Sequence, residues 1–140
     1  MYPQSRHMNI ALYLFFKGCC EEAIEFYRDC VGAEVLFVMR YKDGPPDLIP
    51  VNGEEQIFHS TVKFGETVLN MSDLPAVEAS DFAGFALLTH IETVERAEVA
   101  FDALSQGGHI KMLLDEVPWA RLYGIVVDRF GVTWKIQVNR

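Results

Sequence analysis

The sequence lacks the features that mark several common classes of protein. It has no apolar run near the roughly 20 residues that a transmembrane helix requires, and its start, MYPQSRHMN, has no signal-peptide core. Its 12 basic residues are scattered among 20 acidic ones, for a net charge of −8, whereas nucleic acids and anionic membranes bind clustered Lys and Arg. We therefore expect a cytoplasmic protein without nucleic-acid or membrane partners, and we interpret residues 1–7 as a flexible N-terminus.

Cysteine is also scarce: Cys19, Cys20 and Cys30 are the only three. An odd number does not make a complete disulfide set, and Cys30 lies ten positions after Cys20, about 15 Å along a helix, which is too far for a bridge. We expect reduced, partly buried thiols. The alternative is a reactive thiol, because Cys19 and Cys20 lie where a helix begins, a place that lowers a thiol pKa.

The familiar catalytic motifs are missing too. The sequence has no phosphate-binding glycine motif, no Ser-His-Asp arrangement, and no HxH or HxxxH pair that would suggest a local metal site. However, half of its residues are apolar and 12% are aromatic, which excludes disorder on composition. The sequence predicts a folded domain whose function must be sought in its architecture.

Two stretches place apolar residues on one helix face, with charged residues opposite: 20–31 and 94–104. Shifted by 74 positions, their apolar residues coincide, Cys20 with Val94, Ala23 with Ala97, Tyr27 with Phe101 and Cys30 with Leu104. Gly32 and Gly107 can end the two helices, and Thr93 can cap the second. The sequence therefore predicts an internal repeat.

Each predicted helix follows one strand-like run and precedes three more. The runs are Ile10–Phe16, Glu34–Tyr41, Ile57–Phe64 and Thr67–Met71, then Phe85–Ile91, Ile110–Leu114, Leu122–Asp128 and Thr133–Val138. We predict an α+β fold in which a βαβββ order occurs twice. One domain, 8–140, would contain a first module, 8–72, and a second module, 84–140, with a linker at about 73–83.

The last two strands of each half share the pattern Phe-Gly-x-Thr, at 64–67 and 130–133. We expect the same tight turn in both halves, with Gly65 and Gly131 supplying a positive φ. The glycines are 66 positions apart, eight fewer than the helices. The first half must therefore contain a longer connection, and Asp43–Glu55 provides it.

Taken together, the helix EEAIEFY before Gly32 and the stretches FHSTVKFGETVLNMSD and VPWARLYGIVVDRFGVTWKI resemble the PhnB-like branch of the glyoxalase / bleomycin resistance protein / extradiol dioxygenase (vicinal oxygen chelate) superfamily. The resemblance runs from about Met8 to Val138. It implies two βαβββ modules that form an open curled mixed sheet, a concave pocket for a small molecule, and usually a homodimer.

Metal-dependent members of this superfamily hold a divalent ion with His or Gln on the first strand of a module and Glu on the last. Carried over by the resemblance, these positions are Leu12, Ala86, Leu69 and Lys135. If the alignment to the superfamily is shifted by one residue, the positions become Tyr13, Leu87, Asn70 and Ile136. None is a usual metal ligand, and Lys135 would repel a cation. We therefore predict no cofactor, and the ligand positions do not support a divalent metal.

Polar residues inside strands must find a partner, water or a ligand. Those of the third and fourth strands are His59, Thr61, Asn70 and Ser72. His59 is the candidate for catalysis, because imidazole transfers protons near neutral pH. The alternative for His59 is a hydrogen bond to a neighbouring strand or to a dimer partner. His90 and His109 are expected to be structural or exposed.

Four further residues are candidates for ligand binding. Trp119 and Trp134 can stack on a planar molecule, although core or interface packing explains them equally well. We place Trp119, in the loop 115–121, at the mouth of the pocket. Arg40 and Arg121 can hold a carboxylate or phosphonate, although surface ion pairs are the commoner fate of arginine. The loop Asp43–Glu55 is either a lid or a plain solvated loop.

These observations favour a dimeric protein that binds a small molecule without the usual metal. The main alternative is an enzyme of lyase, isomerase or dioxygenase type, with a non-standard metal site or acid–base chemistry at His59. A third hypothesis is a vestigial pocket in a protein kept for dimerisation or partner binding.

Overall fold

The computed structural model describes residues 8–75 and 77–140. The predicted order of elements is confirmed, with two short 3-10 helices, Tyr41–Asp43 and Pro46–Leu48, in the connection between β2 and β3. In chain order the main elements are β1 Tyr13–Phe16, α1 Cys20–Val31, β2 Glu34–Arg40, β3 Ile57–Phe64, β4 Thr67–Asp73, β5 Leu87–His90, α2 Val94–Ser105, β6 His109–Val117, β7 Ala120–Val127 and β8 Thr133–Val138.

The strands form two mixed sheets of four with the same topology. The first sheet has the order β1-β4-β3-β2 and the second has the order β5-β8-β7-β6. β1 pairs with β4 in parallel in the first sheet, and β5 pairs with β8 in parallel in the second. The other neighbouring strands are antiparallel. The α+β repeat predicted from the two helix patterns is therefore confirmed.

Both helices begin and end where the sequence predicts. The side chain of Thr93 accepts a hydrogen bond from Arg96 N, which caps α2. Gly32 and Gly107 follow the two helices with φ of +69° and +79°, the left-handed conformation that glycine adopts without steric cost. None of the helices among the described residues is long and apolar enough to cross a bilayer.

The described residues divide into two compact units. The first unit contains residues up to Glu25 together with Gly32–Ala79, and the second contains Phe26–Val31 together with Ser80–Arg140. The boundary at residue 80 falls inside the predicted linker, but the last six residues of α1 belong to the second unit. The predictions of one domain and of a flexible segment 1–7 stay predictions, and segment 1–7 lies outside the described residues.

The turns between the last two strands differ, so the prediction of one shared turn is wrong. Only Gly65 and Glu66 separate β3 from β4, whereas five residues, 128–132, separate β7 from β8. The reason is Asp128, whose Oδ1 accepts hydrogen bonds from Phe130 N and Val132 N and closes the longer loop. Both glycines do adopt a positive φ, +60° at Gly65 and +92° at Gly131.

Because the turns differ, aligning β4 with β8 by their turn glycines is wrong by one residue. The buried residues Leu69 and Met71 of β4 correspond to Trp134 and Ile136 of β8, an offset of 65 in the sequence numbering. Asn70 therefore corresponds to Lys135, and both lie on the opposite, half-buried side of their strands.

Each unit buries one aspartate that joins separate segments of the chain. Asp73 in the first unit is 1% exposed and accepts hydrogen bonds from Cys20 N at 2.8 Å and Ile57 N at 2.9 Å. It thereby fixes the start of α1 and the start of β3 to the end of β4. Burial raises the pKa of the Asp73 carboxyl, and the hydrogen bonds from backbone N–H groups oppose that change.

The second unit packs α2 against β7, β8 and β6. Gly124 of β7 lies under this helix, and a Cβ at this position would come within 2.8 Å of Phe101. Asp128, 2% exposed, accepts hydrogen bonds from Tyr27 Oη at 2.6 Å and from Trp134 Nε1 at 2.9 Å. The buried side of the sheet is therefore held by apolar packing and by one carboxylate with several donors.

Candidate functional site

One side of the first sheet leaves aromatic and polar side chains accessible, and we call it the first open face. Its members are Tyr13, Phe15, Phe37, His59, Thr61 and Asn70. The register places them together, because Asn70 of β4 pairs with both Tyr13 of β1 and Thr61 of β3, and Thr61 also pairs with Phe37 of β2. The opposite side of the sheet is apolar and buried: Leu14, Phe16, Val62 and Met71 are each at most 1% exposed.

The aromatic rings of the first open face form a connected group. Tyr13 stacks on Phe15 with ring centroids 4.8 Å apart, and the His59 ring lies 5.7 Å from Tyr13 and 6.0 Å from Phe37. Tyr13, Phe15 and Phe37 are 39%, 41% and 46% exposed. Clustered and partly uncovered aromatic rings are typical of a binding surface rather than of a closed core.

A short hydrogen bond joins the two polar rings of this face. Tyr13 Oη lies 2.7 Å from His59 Nδ1. Burial raises the pKa of the Tyr13 phenol, while a hydrogen bond from Ser72 acts in the opposite direction. The phenol therefore stays protonated at neutral pH, and it donates to Nδ1 in the neutral imidazole tautomer that carries its proton on Nε2. In that tautomer, Nε2 carries the proton and is the ring nitrogen left to donate to a ligand.

The first open face thus combines flat apolar surface with a small number of hydrogen-bonding groups. Stacking against Tyr13, Phe15 or Phe37 favours a planar molecule. The His59 ring, the Thr61 hydroxyl and the Asn70 amide are half-buried, and each can orient a polar substituent. The arrangement fits the recognition of a small planar molecule with polar groups at its edge.

The equivalent side of the second sheet, the second open face, has different chemistry. Its members are Leu88, Trp119, Arg121, Tyr123, Lys135 and Gln137. Lys135 of β8 pairs with Leu88 of β5, and Gln137 pairs with Tyr123 of β7. Lys135 Nζ lies 5.9 Å from the centre of the Tyr123 ring. This face has two cations beside its aromatic rings, whereas the named members of the first open face are uncharged.

Several of the predicted ligand-binding residues come together and others do not. His59, Thr61 and Asn70 share the first open face. Ser72 pairs with Phe15 on the same side of the sheet but is only 2% exposed, so it is not accessible to a ligand. Arg40 forms a salt bridge to Glu21 at 2.6 Å and donates to Glu55 O, which is the surface ion pair given as its alternative.

The remaining predicted residues belong to the second unit. Trp134 is 2% exposed and donates to Asp128, which favours the core alternative over pocket lining. The prediction of a loop over 115–121 is wrong, because Val117 pairs with Ala120 and leaves only a two-residue turn, Pro118 and Trp119. Trp119 is 59% exposed and contacts Tyr123 edge-on at 5.2 Å. Arg121 is exposed on β7.

The long connection between β2 and β3 borders a separate small cavity in the first unit. This cavity has a volume of about 240 Å³ and is lined by Gly18, Glu21, Asn52, Glu54, Glu55, Gln56, Ile57 and Asp73. Arg40 and Lys42 form salt bridges to Glu55 at its edge. The cavity is acidic and contains none of the aromatic residues of the first open face.

The cysteines are free, as predicted: Cys20 and Cys30 are buried and Cys19 is half-buried. Burial raises the pKa of all three thiols, that of Cys30 to about 11. For Cys20 the nearby Asp73 carboxylate adds to the effect of burial. The position of Cys19 and Cys20 at the start of α1 does not produce a lowered pKa, so the reactive-thiol alternative loses its support.

In the second unit, the metal-binding positions implied by the resemblance do not fit a divalent cation. With the corrected alignment, the last-strand positions are Asn70 and Lys135, and the residues that pair with them on the first strands are Tyr13 and Leu88. A lysine and a leucine do not ligate a divalent ion. Among residues 8–75 and 77–140, no group of three or more His, Cys, Asp or Glu side chains is placed to hold a metal.

The sequence did not reveal Tyr13, Phe15 and Phe37 as site residues. In β1 all four residues, YLFF, are apolar or aromatic, so alternation cannot tell the buried side from the open one. The position of Phe37 depends on an irregularity in the pairing between Val35 and Phe37, and a sequence pattern of period two does not detect such a bulge.

Comparison with known proteins identifies relatives over nearly the full chain. Residues 9–136 match the model of a family described as the Glyoxalase/Bleomycin resistance protein/Dioxygenase superfamily. Protein YjdN of Escherichia coli (strain K12) is 33% identical over 141 residues, which cover 94% of this chain and 95% of YjdN.

Solved structures agree with this match. Protein PA1353 from Pseudomonas aeruginosa is 28% identical with a TM-score of 0.84, covering 94% of this chain and 98% of its own. A PhnB protein from Bacillus cereus is 25% identical with a TM-score of 0.76, covering 94% and 99%. The fosfomycin resistance protein FosX from Listeria monocytogenes, 10% identical with a TM-score of 0.68 and covering 100% and 96%, shares the fold.

Proposed function

Because this chain belongs to the glyoxalase/bleomycin resistance protein/dioxygenase superfamily, we propose that it binds a small planar molecule on the first open face, without the metal used by metal-dependent members. The observation that carries this proposal is the connected group of Tyr13, Phe15, Phe37 and His59 rings, left partly exposed on a sheet whose other side is buried. Exposing these rings to water is unfavourable, and a stacked ligand removes that cost.

The proposal includes three further statements. The ligand is held by stacking and hydrogen bonds rather than by metal coordination, since Tyr13 and Asn70 occupy metal-ligand positions in the first unit and Leu88 and Lys135 occupy them in the second. The protein forms a homodimer, as the resemblance implies. It acts in the cytoplasm, which agrees with the free cysteines.

The alternative function is that of an enzyme in which His59 performs acid–base chemistry. The hydrogen bond between Tyr13 Oη and His59 Nδ1 favours this alternative, because it fixes the position of the imidazole ring. A general base needs the other tautomer, in which Nδ1–H donates to Tyr13 Oη and the unprotonated Nε2 accepts the proton of the substrate. Tyr13 would then act as a positioning residue, and His59 would transfer the proton.

Binding can be tested by thermal shift with a panel of small aromatic, phosphonate and thiol-conjugate compounds. A compound at 100 times its Kd stabilises the folded state by about 2.7 kcal/mol, which raises the Tm by several degrees. The decisive variants are Tyr13→Ala and His59→Ala, with Leu88→Ala at the corresponding position of the second sheet as the matched control.

We expect an aromatic compound to raise the Tm of the wild type and of Leu88→Ala, but not that of Tyr13→Ala. If no compound in the panel raises the Tm, or if the shift survives Tyr13→Ala and disappears in Leu88→Ala, the first open face is not the binding site.

Catalysis is tested separately with the compound that binds. Product formation that is lost in His59→Gln, with binding retained, would establish the enzyme. In that case Tyr13→Phe should alter the pH profile of the reaction while it preserves the ring stack. If the wild type binds the compound but forms no product, the protein has the binding function and is not an enzyme for that compound.

A further inference from the structure

We propose that the second open face binds the carboxylate of a small aromatic acid, held by Lys135 and Arg121. All the residues of this site belong to the second unit. The argument rests on two cations without carboxylate partners and on aromatic side chains beside them.

Lys135 is a cation in the middle of a four-stranded sheet. It lies on β8 between β5 and β7, where it pairs with Leu88 on one side and Ile125 on the other. Within the described part of the chain, no carboxylate lies at ion-pair distance from its ammonium group. Its charge contacts the Tyr123 ring but has no carboxylate partner, and a bound anion would supply one.

Arg121 adds a second positive charge on the same side of the sheet. It lies two residues before Tyr123 on β7, and residues two apart in a strand project to the same side. Arg121 also lacks a carboxylate at ion-pair distance in the described ranges 8–75 and 77–140. Its guanidinium can hold a carboxylate through two parallel hydrogen bonds.

Trp119 supplies the exposed aromatic part of the site, and Tyr123, which is 9% exposed, lies beneath it. Tyr123 follows Arg121 on its strand, its ring centre is 5.9 Å from Lys135 Nζ, and it contacts Trp119 at 5.2 Å between ring centroids. Trp119 is 59% exposed and Leu88, beside Lys135, is 52% exposed. The cations therefore lie beside uncovered apolar surface, which suits an acid with an aromatic body better than an inorganic anion.

One carboxylate faces the same site and weakens it. Asp115 of β6 pairs with Tyr123, so its side chain lies on the second open face, where its Oδ1 accepts a hydrogen bond from Glu116 N. It repels an approaching anion without neutralising either cation. Replacing Asp115 with Asn should therefore strengthen the binding of an acid, whereas replacing Lys135 or Arg121 with a neutral residue should weaken it.

The experiment is calorimetric titration with 2-naphthoate and its neutral analogue 2-naphthamide. The variants are Lys135→Met, Arg121→Met and Asp115→Asn. The control is Lys42→Met, which removes the same charge from the first unit, where Lys42 pairs with Glu55. Far-UV circular dichroism and the Tm confirm that each variant is folded, and the Trp119 indole resonance in NMR spectra reports where the probe binds.

We expect the wild type to bind naphthoate at least ten times more tightly than naphthamide. Lys135→Met should weaken naphthoate at least tenfold, Arg121→Met should weaken it severalfold, Asp115→Asn should strengthen it two- to threefold, and Lys42→Met should leave it unchanged.

Three results would overturn the proposal. These are equal affinity for acid and amide, an unchanged Kd in folded Lys135→Met, and no binding of naphthoate at all. Titration of Tyr13→Ala separates the two sites: naphthoate binding that is lost there but kept in Lys135→Met assigns the acid to the first open face, which supports the proposed function and rejects this one.

Discussion

The two units share strand order and pairing but differ on their open faces. The first presents Tyr13, Phe15, Phe37 and His59, and the second presents Lys135 and Arg121 with Trp119 and Tyr123. The buried sides, by contrast, are alike: Leu69 and Met71 correspond to Trp134 and Ile136, all at most 6% exposed. The buried sides need apolar residues at the same positions, because this pattern specifies the strand register. The open sides have no such requirement, so their residues can differ in chemistry.

The units also differ in how many donors depend on their buried aspartate. Asp128 accepts four hydrogen bonds through its two oxygens, from Tyr27, Phe130, Val132 and Trp134. Asp73 accepts hydrogen bonds from Cys20 N on Oδ1 and from Ile57 N on Oδ2, and the Gly18 backbone N–H also interacts with this carboxylate. The second unit should therefore respond more strongly to the loss of its carboxylate.

The largest expected effect is that of Asp128→Asn. An amide nitrogen in place of one oxygen leaves two donors without an acceptor, and hydrogen bonds to charged groups contribute about 1.5–3 kcal/mol each. We expect a loss of about 4 kcal/mol in the free energy of unfolding, measured by urea denaturation. The exposed Asp115→Asn is the control and should change it by less than about 0.5 kcal/mol. A loss below about 1 kcal/mol at Asp128 would remove this contrast between the units.

The corresponding change in the first unit, Asp73→Asn, should have about half that effect. Either Cys20 N or Ile57 N loses its acceptor, so we expect a loss of about 2 kcal/mol by the same measurement. If Asp73→Asn costs as much as Asp128→Asn, the number of donors does not decide the difference.

The contribution of Asp73 to the free energy of unfolding should decrease as the pH rises. Because the pKa of Asp73 is raised above 3.8 in the folded state, the folded protein holds this proton more tightly than the unfolded chain. The resulting stabilisation is present below pH 3.8 and is lost as the pH rises through the folded pKa. The stability advantage of wild type over Asp73→Asn should therefore shrink from pH 3 to pH 6, as followed by urea unfolding at each pH.

The smallest effect concerns the thiols, which lie in both units. Since burial raises the pKa of Cys19, Cys20 and Cys30, we expect each to react with a disulfide reagent at pH 7.5 more slowly than free cysteine does. Half-buried Cys19 should react first. A thiol that reacts faster than free cysteine would restore the reactive-cysteine hypothesis.

The sequence predicted the repeat, both helices and the eight strands because these depend on apolar periodicity, which survives without knowledge of tertiary contacts. It placed His59, Thr61 and Asn70 on the open side because polar residues interrupt apolar strands there. It failed at the turn 128–132, where buried hydrogen bonds to Asp128 override a shared Phe-Gly-x-Thr pattern. It also failed at Tyr13 and Phe15, where every residue of the strand is apolar.

The contrast between the open faces is tested most directly by NMR mapping of backbone amides with a neutral and an acidic aromatic probe, 2-naphthamide and 2-naphthoate. We predict that the amide shifts resonances of Tyr13, Phe37 and Thr61 and leaves those of Tyr123 and Lys135 in place. The acid, in addition, should shift Tyr123 and Lys135. If both probes shift the same residues, or if neither shifts the first open face, the two faces do not have the distinct binding chemistry assigned to them.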